Sequence, residues 1–121
     1  MAFKEINIRD IKESAVKLIN DDWALVTASA DGVTNTMTVS WGGMGELWGK
    51  DVVFIFIRPQ RYTYELLEKT NTFSMSFFGG EYKKELTFCG RNSGRSVDKF
   101  AETGFTVADF NGTAAITKLK K

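Results

Sequence analysis

The chain has 121 residues, enough for one domain with a single core and little area to spare. Its 43% hydrophobic and 26% charged residues are those of an ordinary soluble globular protein, and a net charge of +1 provides no global field for nucleic acid or an anionic membrane. Histidine is absent and Cys89 is the one cysteine, which excludes a Ser-His or Cys-His pair, an imidazole metal site and an internal disulfide.

Any anion site must therefore be local, and any catalysis has to draw its reactive atoms from a bound cofactor. No apolar run approaches the length of a membrane span, and the polar start from Met1 to Asp10 does not resemble a secretory signal. With a single cysteine, the expected compartment is the reducing cytoplasm.

In chain order, Ile8, Ile11, Ala15, Leu18 and Ile19 recur at roughly helical spacing and predict an amphipathic lead-in. Trp23 to Ser29 predicts a strand, and Asp31-Gly32 a two-residue hairpin, since Gly accepts positive φ and Asp tolerates it. Val33 to Trp41 alternates: Val33, Asn35, Met37, Val39 and Trp41 share one face, while Thr34, Thr36, Thr38 and Ser40 share the other. Gly42-Gly43-Met44-Gly45 is expected to turn the chain. Val52 to Ile57 is apolar at every position, as for a strand covered on both faces. Arg58-Pro59 ends it, and helix is predicted over Gln60 to Lys69. Thr72 to Phe78 is a further alternating strand. Glu81 to Phe88 and Ser96 to Thr103 are short helices around the loop Gly90 to Arg95. The tail from Phe105 is weakly patterned and ends in lysines expected to be solvated. One hairpin, several strands and short helices predict a small barrel or α+β domain.

Three segments carry candidate chemistry. In Arg58-Pro59-Gln60-Arg61-Tyr62-Thr63 the expected helix cap, Arg58, cannot accept the unpaired backbone N–H groups, and Arg61 adds a second cation where the dipole favours an anion. A phosphate answers both problems, with Arg58, Arg61 and Thr63 as donors; two solvated arginines and a water-capped helix are the competing account. Gly90-Arg91-Asn92-Ser93-Gly94-Arg95-Ser96 combines two glycines, two arginines and small polar side chains, either as an anion-binding nest or as a plain polar connector with Ser96 as a helix cap. Asn35-Thr36-Met37-Thr38-Val39-Ser40-Trp41-Gly42-Gly43 sets hydroxyls and an indole where a heteroaromatic ring could lie, though composition alone favours a solvent-facing threonine row. Cys89 fits a small buried side chain better than a redox thiol, and Trp48 and Tyr82 fit packing or dimer contact better than a shield over a bound ring.

Together with Phe56-Ile57 before the second segment, Phe88-Cys89 before the third and Val97-Asp98-Lys99 after it, these motifs resemble, in order and context, the flavoredoxin-like branch of the flavin reductase family from the amino terminus to about Gly112. The resemblance implies a mainly β protein with short helices, an FMN-binding split β-barrel that forms a homodimer with flavin near the subunit interface. It implies contacts to the isoalloxazine and ribityl groups from Asn35, Thr36, Met37, Thr38, Ser40 and Trp41. It assigns the phosphate end to Arg58, Pro59, Arg61, Tyr62 and Thr63, with Arg91, Asn92, Ser93, Gly94 and Arg95 from the second loop. The implied activity is flavin-dependent redox electron transfer, with NAD(P)H or a protein as donor. Family members continue further, so the resemblance also implies a barrel incomplete at its carboxyl end. The rival is a non-catalytic, shortened split-barrel dimer that holds flavin weakly or not at all.

Overall fold

The structure is a computed structural model and describes residues 4–110 and 113–119. Strands β1 (Ala24–Ala30) and β2 (Val33–Val39) form the predicted hairpin, in register from Ala24 opposite Val39 to Ala30 opposite Val33. Asp31 and Gly32 turn it with φ of 53° and 78°. Strand β5 (Ser74–Ser76) pairs antiparallel on the other side of β1, giving the order β2-β1-β5. Two separate ribbons complete the β structure: β3 (Gly42–Leu47) with β4 (Lys50–Ile55), and β6 (Phe105–Phe110) with β7 (Thr113–Leu119). Helices α1 (Tyr62–Lys69), α2 (Lys83–Arg91) and α3 (Lys99–Thr103) connect them. The architecture is mainly β with short helices, as expected, and the three sheets do not close on one another. No helix among the described residues is long and apolar enough to cross a membrane.

Strand β1 is central because both of its faces are apolar. Leu25 joins Leu86, Cys89, Phe105 and Ile116 on one side, bringing α2 and the β6–β7 ribbon onto the sheet. Ala24 and Val26 join Met37 and Val39 on the other, where Ile55, Ile57 and Phe73 cover them. Ser74 and Ser76 hydroxyls donate to the Ala114 and Ile116 carbonyls at 2.9 and 3.1 Å, tying β7 beside β5.

Four expectations are corrected. The Gly42–Gly45 stretch is strand rather than turn, because Gly42 and Gly43 serve close approach. A β-carbon on Gly43 would stand 2.6 Å from Phe54 Cζ. The chain reverses instead at Trp48-Gly49, with φ of 56° and 76°. Second, the apolar run of β4 is not covered on both faces. Its ribbon touches the core through Ile55 and Ile57, while Phe54 and Phe56 stay exposed. Third, the lead-in is not a continuous helix but a single turn at Ile8–Asp10 and a wide π-type turn at Lys17–Asp22, of which Leu18 and Ile19 reach the interior. Fourth, the weakly patterned tail forms the β6–β7 hairpin. The solvated lysine end expected there falls on side chains outside the described ones.

Candidate functional site

Helix α1 begins at Tyr62, with Arg61 rather than Arg58 at the cap and no side chain capping it. Arg61, like Arg58, cannot accept a hydrogen bond, so the first-turn N–H groups of Tyr62 and Thr63 have no side-chain cap beside a cation, while Tyr64 N–H donates to the Arg61 carbonyl at 3.1 Å. The turn before the helix closes through Arg61 N–H donating to the Arg58 carbonyl at 3.1 Å. Burial, and then the charge of Arg58, holds the Arg61 guanidinium below its ordinary value. Arg58 lies over the Trp41 ring, 5.1 Å from its centroid. Among the described residues, neither arginine has a carboxylate within ion-pair distance, and neither does Arg91; the ion pairs there use other cations.

Two recesses meet at Arg61. The first, about 220 Å³, is lined by Met37, Thr38, Val39, Ser40 and Trp41 from the end of β2, and by Phe56, Arg58 and Arg61. The second, about 240 Å³, is lined by Gln60, Arg61 and Tyr62 from one turn and by Gly90, Arg91, Asn92, Ser93 and Arg95 from the other. Both arginine-bearing segments thus face one space. The loop after α2 is held in shape by Ser93, whose Oγ accepts from Arg95 N–H at 3.1 Å and whose carbonyl accepts from Ser96 and Val97 N–H at 3.0 and 3.1 Å. Asn92 donates from Nδ2 to the Phe88 carbonyl at 3.0 Å and finishes α2.

The remaining predicted site residues sit elsewhere. Asn35, Thr36 and Thr63 are buried. Asn35 Nδ2 donates to Thr63 Oγ1 at 2.9 Å, and Thr36 Oγ1 donates to the Val26 carbonyl at 3.2 Å while accepting from Thr27 Oγ1 at 3.0 Å. The threonine row therefore faces protein and not solvent, and Thr38 also donates to the Leu86 carbonyl. Gly94 packs against Asn35 and Tyr62. Arg95 pairs with Glu65, donates to the Gln60 carbonyl at 3.1 Å and stacks on Tyr62, so it ties the two turns together instead of offering an uncommitted charge. Pro59 is exposed and lines neither recess. Cys89 is fully buried, and burial pushes its thiol up to about 11. Tyr82 packs edge-on against Phe78 and Phe105. Trp48 is 88% exposed at the tip of the β3–β4 ribbon.

Sequence reasoning assigned no site role to Phe56 or Gln60, which line the recesses, or to Lys99, which is buried and belongs to a third recess with Asn35, Tyr62 and Arg95. Phe56 and Gln60 flank Arg58-Pro59, and proximity to that motif was an available signal. A lysine, usually exposed, gives none.

Residues 17–118 match the model of the flavin reductase like domain. Among solved structures, the fold is similar to flavoredoxin of Desulfovibrio vulgaris (Miyazaki F), with a TM-score of 0.71 at 21% identity, over 95% of this chain and 61% of that one. The chain thus spans about three-fifths of that protein's length. No curated protein matches it. With the family's model running through nearly all of the described strands and helices, the chain belongs to the flavin reductase like domain family.

Proposed function

We propose that the chain binds FMN non-covalently and serves in flavin-dependent redox electron transfer. The observation that carries this reading is the meeting of Arg58, Arg61 and Arg91, none with a carboxylate partner, around two recesses that share Arg61. Arg58 and Arg91 are exposed and cost little by themselves, but the half-buried Arg61 is desolvated and repelled by Arg58, so an anion that joins them is favoured. The uncapped start of α1 asks for acceptors at the same point. The first recess suits the ring end of a mononucleotide: Met37, Val39, Trp41 and Phe56 supply apolar surface, and the exposed Ser40 offers a hydroxyl.

What the flavin supplies when bound is hydride and electron exchange at its N5. The chain's own residues bind and orient. Arg61 and Arg91 neutralise the phosphate end, with Ser93 beside them. Arg58 bridges toward the ring end, where Trp41 fixes its guanidinium. Thr38 holds the rim of the cleft to α2 through its bond to Leu86 and orients rather than reacts. The reading assigns no obligatory acid or base to the protein, and takes NAD(P)H or a protein as electron donor.

The reading extends to a homodimer in the cytoplasm. Leu47, Trp48, Phe54 and Phe56 form an exposed apolar strip along the β3–β4 ribbon, and Phe56 also lines the ring recess, so a second copy seated there would cover the mouth of the site. Large apolar side chains on one ribbon are better explained by a partner than by solvent.

Purified protein is expected to be yellow, with flavin absorbance that bleaches on addition of NADH or NADPH. The Arg58→Ala/Arg61→Ala double variant is expected to lose FMN retention before any chemical step slows. Wild-type FMN affinity in that variant would show the phosphate assignment to be wrong. Colourless protein that takes up no added FMN would instead favour the non-catalytic dimer.

A further inference from the structure

Among the described residues, Lys99 is the one buried charged side chain, at 2% exposure. It opens α3 behind the Asp98 cap, and no carboxylate pairs with it. Its Nζ donates to the Thr36 carbonyl on edge strand β2 at 2.7 Å and to the Cys89 carbonyl in the last turn of α2 at 2.8 Å. A buried ammonium without a counter-ion is expensive, and a helix end with free carbonyls offsets only part of that cost. A neutral side chain would fill the space more cheaply, so the charge calls for an explanation beyond packing. Its two partners supply one: Thr36 precedes Met37 and Thr38 of the ring recess, and Cys89 precedes Gly90 and Arg91 of the phosphate recess. Arg61, which joins those recesses, lies close enough to repel it.

We propose that Lys99 is an internal cation of the phosphate cradle: it joins strand β2, one residue before the ring recess, to the helix end that carries Arg91, and its positive charge strengthens the hold on a phosphomonoester. The inference rests on the FMN reading above. Lys99 is a positioning residue, since its Nζ is committed to two carbonyls and it lines neither of the two recesses that share Arg61. Burial lowers its ammonium to about 8, so the charge is lost in an accessible range. The groups around it do not titrate with it. Arg61 stays charged, and the Cys89 thiol on α2 is held up near 11, with Glu85 acting on it. Strand β2 presents hydroxyls and carbonyls, and Asp98 is engaged by the N–H groups of Phe100 and Ala101.

FMN and riboflavin, which differ by the phosphate, are to be titrated against the full chain by flavin fluorescence from pH 7 to 9.5. Wild-type affinity for FMN should fall on the order of tenfold around pH 8, the scale of losing one unit charge acting through an effective dielectric of about 20. Riboflavin affinity should stay flat. Lys99→Met and Lys99→Gln should start about tenfold weaker for FMN at pH 7 and show no such fall. Folding stability in the wild type should rise over the same interval, so weaker binding cannot be attributed to unfolding. A flat wild-type FMN profile, a riboflavin profile that follows it, or a Lys99→Gln variant with the wild-type profile would overturn the inference. If neither variant folds, the wild-type comparison of the two flavins decides. Absence of FMN binding at pH 7 would instead strike the FMN reading itself.

Discussion

Replacing Gly94 by alanine tests whether the two arginine turns are held together by packing as the geometry indicates. The added methyl would stand 2.6 Å from Asn35 Cγ and 2.8 Å from Tyr62 Cδ2, roughly 1 Å inside ordinary van der Waals contact. Neither neighbour can yield freely. Asn35 is buried and bonded to Thr63, and Tyr62 lies under the Arg95 guanidinium, 5.1 Å from its ring centroid. The loop must therefore move outward, carrying Ser93 and Arg95 with it. Forced repacking of this kind costs about 1–3 kcal/mol, and a loop facing solvent should fall toward the lower end. Gly80→Ala is the control, since nothing lies within 4 Å of the added atom. Its effect should stay within about 0.5 kcal/mol. Urea denaturation of both variants reads the stability difference, and flavin titration should show FMN affinity falling on the order of tenfold in Gly94→Ala alone. If Gly94→Ala matched Gly80→Ala in both measurements, the close packing of loop, Asn35 and Tyr62 would not be what positions the recess.

Thr63→Val keeps the shape of the side chain but leaves Asn35 Nδ2 without its acceptor, and should cost about 1–3 kcal/mol by chemical denaturation, whereas Thr63→Ser should retain most of the stability. Lys99 makes stability depend on pH with a definite sign. Its folded value of about 8 lies below the ordinary 10.5, so the penalty for burying the charge is fully present below pH 8 and is relieved as pH rises, by up to about 3 kcal/mol. The Cys89 thiol, raised from 9.0 to about 11, loses its proton first in the unfolded chain and opposes this gain above pH 9. Denaturation from pH 7 to 9.5 should therefore show a rise between 8 and 9 that levels off above 9, with the rise absent in Lys99→Met. Trp48→Glu, at the tip of the exposed ribbon, should shift the proposed dimer toward monomer in light scattering while leaving the melting of the domain nearly unchanged.

Local chemistry made a large part of this protein legible before folding. Asp31-Gly32 demands its hairpin because positive φ is cheap there and nowhere nearby, and Arg58-Pro59 ends a strand for reasons of backbone alone. Two segments each carry a pair of arginines, and only the second sets them beside glycine, so composition leaves each open to an anion site or a solvated turn. Partner identity is another matter. Gly42 and Gly43 carry the same composition as a turn, and only the Phe54 backbone against Gly42 and the Phe54 ring against Gly43 show that the missing side chains are needed for contact. The alternation of Thr34 to Ser40 is visible in the sequence, but which face meets solvent depends on α2, and α2 covers the hydroxyl face. Arg95 and Arg91 look equivalent in sequence; a glutamate thirty residues earlier removes one of them from the set of uncommitted cations. Lys99 is the sharpest case, for a lysine's environment is decided entirely by what folds over it. Composition and short-range backbone preference are set residue by residue, so the chain by itself determined the Asp31-Gly32 hairpin, the break at Arg58-Pro59, the helix that follows it and the two cationic segments. Burial, pairing and charge compensation are sums over neighbours distant in sequence, and only the tertiary structure decided which hydroxyls are spent on protein, which arginines stay free and where the interior cation lies.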